Sequence, residues 1–528
     1  MVALTTLLAA SDAAIDTPDI DWSAIAPNLV LMLGGILLLT VVSLLKTRLP
    51  RWFCATWTVL VSLGAMAAVV PLWRRVQDSG PETAMGGAVG LDGYSLVIAA
   101  NVCLAVIFGA LLLKGYLERE QLEGPEWYVL LMLSASGAVT MASADDLIVL
   151  FVGLEIMSVA AYVLTAMHSR RISSQEAGMK YFLLGAFASA FLLYGIALTY
   201  GATGSTSLAK IQTYLSGTVI SHSGLLLGGI AFMLVGLGFK IAAVPFHFWT
   251  PDVYQGSPSP ITAYMSTAIK AAAFAAIVRV FVVALGPTQV NEWRPMVYGL
   301  AVLTLLVGSL FAISQTNVKR MLAYSSINHA GFVLIGVLAN TPEGNSATLF
   351  YLVAYTFMAA GSFAVTTVVG RTGDGRHSLD DYRGLSKVRP GLALVFAVLL
   401  LSQAGVPLTV GFLSKFYVIQ AALDSDFAGA GVLCVIAMLT AVISAFMYLK
   451  IVASMYFGDP VDADAPAIRI PPSAGIALGL AVLGVAALTR RKWLVWFALV
   501  FAGVGLASGV AGFVGGSFHL DFVATMLS

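Results

Sequence analysis

Stretches of about twenty apolar residues recur along almost the whole chain, and they decide what it can fold into. In helical form such a stretch is as long as the hydrocarbon core of a bilayer is thick, roughly 30 Å. Inside lipid every backbone N–H and C=O must be satisfied within the chain, so these runs predict membrane-spanning helices. They lie at Pro27–Leu45, Ala55–Trp73, Tyr94–Leu113, Trp127–Ala142, Leu147–Met167 and Met179–Tyr200. Gly224–Val244, Ile261–Leu285, Met296–Ile313, Met321–Leu338 and Ala347–Val369 continue the series. A broken twelfth run covers Leu392–Leu423, followed by Gly429–Phe457, Ala474–Leu488 and Trp493–Val510. Arg490, Arg491 and Lys492 separate the last two. Only 10% of the 528 residues are charged, about half the share usual in a soluble chain. The connections are short, and none is long enough for a separate soluble domain. The opening MVALTTLLAA has no basic flank and is followed by Asp12, Asp16, Asp19 and Asp21. That is a poor secretory signal, so the first span is expected to direct insertion itself.

Basic residues in short loops mark the inner side of a membrane protein. With the acidic N-terminus outside, the inner loops hold Lys46, Arg48, Arg51, Lys114, Arg119, Arg170, Arg171, Lys180, Lys319, Arg320, Arg371, Arg376, Arg383, Lys387, Arg389 and Arg469. The outer loops then hold Arg74, Arg75, Lys210 and Arg294. Sixteen against four predicts an outside N-terminus. The charges at Arg490–Lys492 fit this less well, because a span over Ala474–Leu488 carries them outside. An extra span or a half-inserted segment is left open for the tail.

Two runs are interrupted within the membrane. The seventh reads LVGLGFKIAAVPFHFW, with Pro245 five residues after Lys240. The twelfth reads LLLSQAGVPLTVGFLSKFY, with Gly405, Pro407 and Gly411 ahead of Lys415. Proline removes a backbone donor, and freed carbonyls are tolerated at that depth only where protein or water satisfies them. Breaks five runs apart run in opposite directions across the membrane, the signature of an inverted repeat of five helices. The units expected are residues 127–285 and 286–457. They follow an N-terminal three-helix segment, 1–126, and precede a C-terminal segment, 458–528.

The charges within apolar runs are Glu155, Lys240, Lys270, Arg279, Lys415 and Lys450. Each costs roughly 2.5–3.5 kcal/mol near mid-helix, so they are expected to face a polar or hydrated interior. A lysine held out of water gives up its proton more readily than a solvated one, and a nearby carboxylate opposes that; an arginine stays charged throughout. Lys240 and Lys270 flank one inner loop. Ser266 and Thr267 place hydroxyls on the Lys270 face of its helix, where they could hold water. Lys415 is expected to serve the second half as Lys240 serves the first. Glu155 is read either as a charge that tunes a neighbouring lysine or as half of a structural ion pair. His247 and His329 are weaker candidates, since a lone membrane histidine is as often a hydrogen-bonding core residue as a relay. Arg279 and Lys450, closer to run ends, are read as structural, by snorkelling or by pairing with a helix C-terminus.

Redox chemistry within the chain is not expected. Cys54, Cys103 and Cys434 lie far apart with no CxxC, which argues against haem or iron–sulfur ligation. No GxGxxG follows a strand, and no P-loop, HExxH or nucleophile elbow occurs. Nothing suggests nucleic-acid binding, and the net charge of +1 says nothing about partners.

The stretch GFKIAAVPFHFWTPDVYQGSPSPITAYMSTAIKAAAFAAIVRVF strongly resembles the seventh and eighth helices of the antiporter-like subunits of respiratory complex I. LFVGLEIMSVAAYVL, NVKRMLAYSSINHAGFVLIG, DDYRGL and GVPLTVGFLSKFY match as well, and the resemblance extends from about residue 90 to 457. Within that superfamily VYQGSP and the lysine at Lys415 look like the N-type. The resemblance implies an all-α polytopic membrane protein of about fourteen helices, with two inverted five-helix repeats, broken helices 7 and 12, and a central hydrophilic axis. It implies that Glu155 is the fifth-helix glutamate, Lys240 the seventh-helix lysine, Lys270 the eighth-helix lysine and Lys415 the twelfth-helix residue. His247 and His329 fall where family members often place polar groups. It further implies a bacterial inner-membrane location, membrane-arm partner subunits including an M-type subunit, lipid contacts, and no cofactor in this chain. FMN, iron–sulfur clusters and quinone are expected in partner subunits. Two departures stand out: Leu408 replaces a second proline common at the twelfth-helix break, and the last two runs do not resemble the usual C-terminal end.

Protons are thus expected to enter near Lys240, pass through Lys270 and leave past Lys415. A multi-subunit cation/proton antiporter, a membrane-bound hydrogenase subunit and a purely structural bundle are the alternatives. Sodium-dependent exchange without NADH, or co-purifying nickel–iron protein, would single out the first two.

Overall fold

The computed structural model describes residues 20–45, 50–122, 124–218, 223–460 and 468–505. The opening residues 1–19, Lys46, Arg48 and residues 506–510 of the last run lie outside these.

The apolar runs become helices almost one for one. They are α1 (Ala26–Leu44), α2 (Arg51–Ser79), α3 (Gly93–Glu120), α4 (Glu126–Ser143), α5 (Leu147–Ala166) and α6 (Ile172–Thr203). A short amphipathic α7 (Leu208–Gly217) precedes α8 (Ser223–Ile241) and α9 (Trp249–Gly256). Next come α10 (Ser259–Ala284), α11 (Gly286–Ser314), α12 (Val318–Ala339) and α13 (Pro342–Val369). The half-helices α14 (Pro390–Ala404) and α15 (Val410–Leu423), then α16 (Ala430–Phe457) and α17 (Pro472–Gly505), complete the bundle. A small hairpin of Glu82–Ala84 and Val89–Leu91 links α2 to α3. Starts are set by side chains that satisfy the free N–H groups of the first turn: Asp92 for α3, Asp146 for α5, Asn317 for α12 and Thr341 for α13.

Among the described residues twelve helices are long and apolar enough to cross a membrane. The less apolar α4 and the half-helices α14 and α15 are not among the twelve. The helices α3, α10, α12 and α13 form the centre, and α12 is buried at every residue but Arg320. The rim is apolar outward: α1, α6 and α16 present Leu37, Phe187, Met438 and Val442, among others, on exposed faces. Such a surface suits lipid or partner helices rather than water. Every ion pair among the described residues joins ends that an alternating up-and-down path puts on the same side, as Arg75–Glu82 and Arg294–Asp426 do on one and Arg171–Asp374 on the other.

Both interruptions are present, and they run in opposite directions. The α8 helix stops at Ile241 and the chain turns through 242–248 before α9. There the Val244 N–H, freed by the break, donates to Thr304 Oγ1 on α11 at 2.9 Å. The second break separates α14 from α15 at 405–409. At Leu408, where a proline was the alternative, φ is +77°, a conformation that the proline ring forbids. Gly411 is required on steric grounds, since a Cβ there would run into the carbonyl oxygen of Ser402.

The C-terminal end differs from the expectation of two separate runs. The α17 helix continues through Arg490–Lys492 to Gly505. Those charges interrupt the hydropathy but not the helix, because arginine and lysine are good helix formers and neither glycine nor proline stands there. Its 34 residues make a rod about 51 Å long at 1.5 Å per residue, so the charges lie beyond the apolar span Pro472–Thr489.

Candidate functional site

Lys240 is the penultimate residue of α8, directly before the first break, and is 2% exposed. Its Nζ donates to the Tyr162 hydroxyl at 3.1 Å. It sits 5.1, 5.4 and 5.7 Å from the ring centres of Tyr162, Tyr181 and Phe239, an aromatic cage that attracts a cation. Trp249, at the start of α9, stacks on Tyr181 and donates its Nε1 to the Phe239 carbonyl at 3.0 Å, tying the two half-helices together around the amine. Gly185 makes this possible, because a Cβ there would strike the Tyr162 hydroxyl. Glu155, two turns before Tyr162 on α5, does not pair directly with Lys240. Its Oε1 is buried and has no hydrogen-bond partner among the described residues.

Lys270 lies in the middle of α10, just after a π-helical turn at Met265–Ile269. Such turns are frequent at functional positions. Ser266 and Thr267 both donate back to the Ala263 carbonyl of their own helix. Nζ crosses instead to α12, donating to Ser326 Oγ at 2.5 Å and to the Ser326 carbonyl at 2.7 Å.

Lys415, on α15, follows the second break and folds back over it. Its Nζ donates to the carbonyls of Ala404 at 2.8 Å and Gln403 at 3.1 Å, which the end of α14 leaves without helical partners. Its position is therefore not that of Lys240, which precedes its own break and bonds to a neighbouring helix. Phe332 of α12 faces the amine at 4.9 Å.

Between Lys270 and Lys415 runs a ladder of uncharged polar groups on α12, α13, α14 and α16. Ser325, next to Ser326, hydrogen-bonds with the Tyr448 hydroxyl. That hydroxyl is 3.1 Å from His329 Nε2, and His329 Nδ1 is 2.7 Å from the Tyr351 hydroxyl. Ser325 Oγ also donates to Gln403 Oε1 at 3.4 Å. His329 thus sits at the centre of the ladder. His247 does not join it: it lies in the first break against Phe248, its Nδ1 buried without a partner among the described residues.

Arg279 and Lys450 stand apart from this axis. Arg279 donates to the Ala142 carbonyl near the end of α4 and to Asp92 Oδ2 at 2.7 Å. Lys450 donates to the carbonyls of Ile313 and Gln315, the last of which follows α11.

Residues 144–444 match the family described as NADH:quinone oxidoreductase/Mrp antiporter, TM. This chain is 41% identical over 438 residues to the NADH-quinone oxidoreductase subunit N of Trichlorobacter lovleyi, covering 83% of this chain and 88% of that one. The chain belongs to the NADH:quinone oxidoreductase/Mrp antiporter family. The fold agrees: a chain of respiratory complex I from Thermus thermophilus superposes with a TM-score of 0.74 at 33% identity, covering 89% of this chain and 98% of that one. A chain of the Mrp complex from Dietzia, with a TM-score of 0.77 at 22% identity, covering 96% and 99%, shares the fold.

In this antiporter-family chain the structure also gathers groups that the sequence reading passed over. Asp374, fully buried in the loop after α13, receives hydrogen bonds from Ser259 Oγ at 2.8 Å, Arg171 Nη1 at 3.0 Å and His377 Nε2 at 2.9 Å. Lys319, also fully buried, lies 3.6 Å away. Burial alone would raise the Asp374 carboxyl, but Lys319, His377 and Arg171 hold it far below the ordinary carboxylate range. Beside the cluster is a polar cavity of about 280 Å³ lined by Arg171, Glu176, Lys180, Asp252, Asp374 and His377 among others. The cluster joins the start of α10 to α12 and the α13–α14 loop.

Proposed function

We propose that this chain is the proton-translocating, N-type membrane-arm subunit of an NADH:quinone oxidoreductase, and that Lys240, Lys270 and Lys415 carry the protons. The observation that carries the reading is three lysine amines, 2%, 3% and 7% exposed. Each is held by hydroxyls or carbonyls, with no carboxylate among its hydrogen-bond partners. Amines so placed are good proton stations, because no fixed counter-charge locks them in one state. Protons enter from the inner side by the polar cavity and Lys240, pass to Lys270, cross the ladder with His329, and leave past Lys415. Glu155 acts on Lys240 through space, and His247 lies at the edge of the route.

Moving one charge against 100 mV requires about 2.3 kcal/mol, equivalent to about a fifty-fold change in proton affinity. Altering the surroundings of one buried amine is enough to supply that. The driving change originates in quinone reduction elsewhere in the complex. FMN, iron–sulfur clusters and quinone belong to partner subunits, and this chain holds no redox cofactor. It resides with its M-type and smaller membrane-arm partners and lipid in a bacterial inner membrane, N-terminus outward. The test is Lys240→Ala in the whole complex reconstituted in proteoliposomes. Redox-coupled proton uptake falls; full uptake with this variant would overturn the assignment.

A further inference from the structure

The hydrogen-bonded ladder that starts at Ser325, the chain neighbour of the Lys270 partner Ser326, ends towards Lys415 at one side chain that differs in kind from the rest. Ser325, Tyr448, His329 and Tyr351 each carry a group that donates and accepts, so a proton arriving at one can leave from it. Gln403 cannot do this. Its Oε1 accepts from Ser325 at 3.4 Å, while its Nε2 donates to Ser362 Oγ at 2.6 Å and to the Met358 carbonyl at 3.4 Å. An amide accepts on one atom and donates from another, and keeps its own hydrogens. Lys415 meets the same residue only through its backbone carbonyl, which has no proton to pass.

The place of Gln403 in the fold is a second, independent observation. It is the penultimate residue of α14, the half-helix ahead of the second break. Lys240 is the penultimate residue of α8, the half-helix ahead of the first. The same position thus holds an exchangeable amine in one half and a non-exchanging amide in the other.

We propose that Gln403 is a positioning residue that gates proton transfer between the His329 ladder and Lys415. The proposal rests on the pumping role assigned above. While the amide holds Ser325, the ladder and Lys415 are disconnected. When it swings away, the Ser325 hydroxyl is released towards the neutral Lys415 amine. The Ser325 O–H bond then breaks as an N–H bond forms on Lys415. Tyr448 restores the serine hydroxyl from its own O–H, and a protonated His329 restores Tyr448. One proton moves from imidazolium to amine, and no group is left with a net change except these two.

The test compares Gln403→Glu and Gln403→Leu in the whole complex in proteoliposomes. Two quantities are read: proton leak under an imposed pH gradient without NADH, and protons taken up per NADH oxidised. A glutamate exchanges its proton, so Gln403→Glu leaks several-fold more than wild type and pumps less. A leucine plugs the same space, so Gln403→Leu pumps less with wild-type leak. A merely structural role would make both variants leak alike, and that result, or a wild-type leak in Gln403→Glu, overturns the gate. Should the leucine variant fail to assemble, the leak of Gln403→Glu against wild type decides alone. Lys270→Met serves as the reference: unchanged uptake there sinks the pumping role itself, whereas reduced uptake there beside silent Gln403 variants sinks the gate alone.

Discussion

Replacing Lys415 separates its structural part from its part in proton transfer. Its ammonium satisfies two carbonyls that the helix break leaves free, those of Gln403 and Ala404. Hydrogen bonds to a charged group contribute about 1.5–3 kcal/mol each, so truncation to alanine is expected to cost about 3–6 kcal/mol. That is a large part of the 5–15 kcal/mol by which a folded domain is typically stable. Lys415→Ala therefore lowers the amount of assembled complex and its thermal stability in detergent. Lys415→Arg keeps donors at the break but cannot release a proton at any working pH. It assembles, and proton uptake per NADH falls. Assembly is read on native gels and uptake in proteoliposomes. An alanine variant as stable as wild type would refute the capping argument. An arginine variant with full uptake would refute the role in transfer.

Asp374→Asn leaves the buried Lys319 and the half-buried Arg171 without their shared anion, and is expected to destabilise the chain by about 3–5 kcal/mol; thermal unfolding of the complex measures it, and an unchanged midpoint contradicts it. Burial lowers the proton affinity of His377 below that of free histidine, with Asp374 opposing the effect. A proton affinity lower in the folded than in the unfolded chain means that its stabilisation is full above pH about 6.5, the free value, and declines as pH falls below it. Unfolding of wild type and His377→Gln across pH 5 to 8 should show a smaller acid-side decline in the variant; a decline of equal size in both removes His377 as the cause. Gly411→Ala drives a methyl into the Ser402 carbonyl and should reduce assembly, whereas Gly431→Ala, with open space around it, should not; equal behaviour of the two denies the close crossing at the second break. Ser326→Ala removes one of the two acceptors of Lys270 and should reduce uptake without loss of assembled protein, and wild-type uptake would remove Ser326 from the route.

What could be read from the residues alone follows from what lipid forbids. Runs of twenty apolar residues leave the backbone little choice, so the helices and both interruptions were legible. Glu155, Lys240, Lys270 and Lys415 stood out because a charge in such a run is rare. The ladder between the lysines was not legible, since Ser325, Ser326, Gln403 and Tyr448 are uncharged and such residues occur on many spanning helices. Four polar residues within five positions of one apolar helix, Ser325, Ser326, Asn328 and His329, were the one available signal. Asp374 and Lys319 looked like ordinary loop charges, because nothing in their local sequence tells that two distant loops enclose them. Arg490–Lys492 misled in the other direction: hydropathy marked a boundary where helix propensity had none.

The central claim is that buried amines load and release protons during turnover, and Lys270 tests it most directly. It sits at mid-helix, and among the described residues only Ser326 is bound to its amine, so a methionine fills its place with little disturbance. The ratio of protons taken up to NADH oxidised is measured in proteoliposomes holding the Lys270→Met complex. A clear drop in that ratio, with NADH oxidation continuing, is the predicted result. A wild-type ratio would contradict the account.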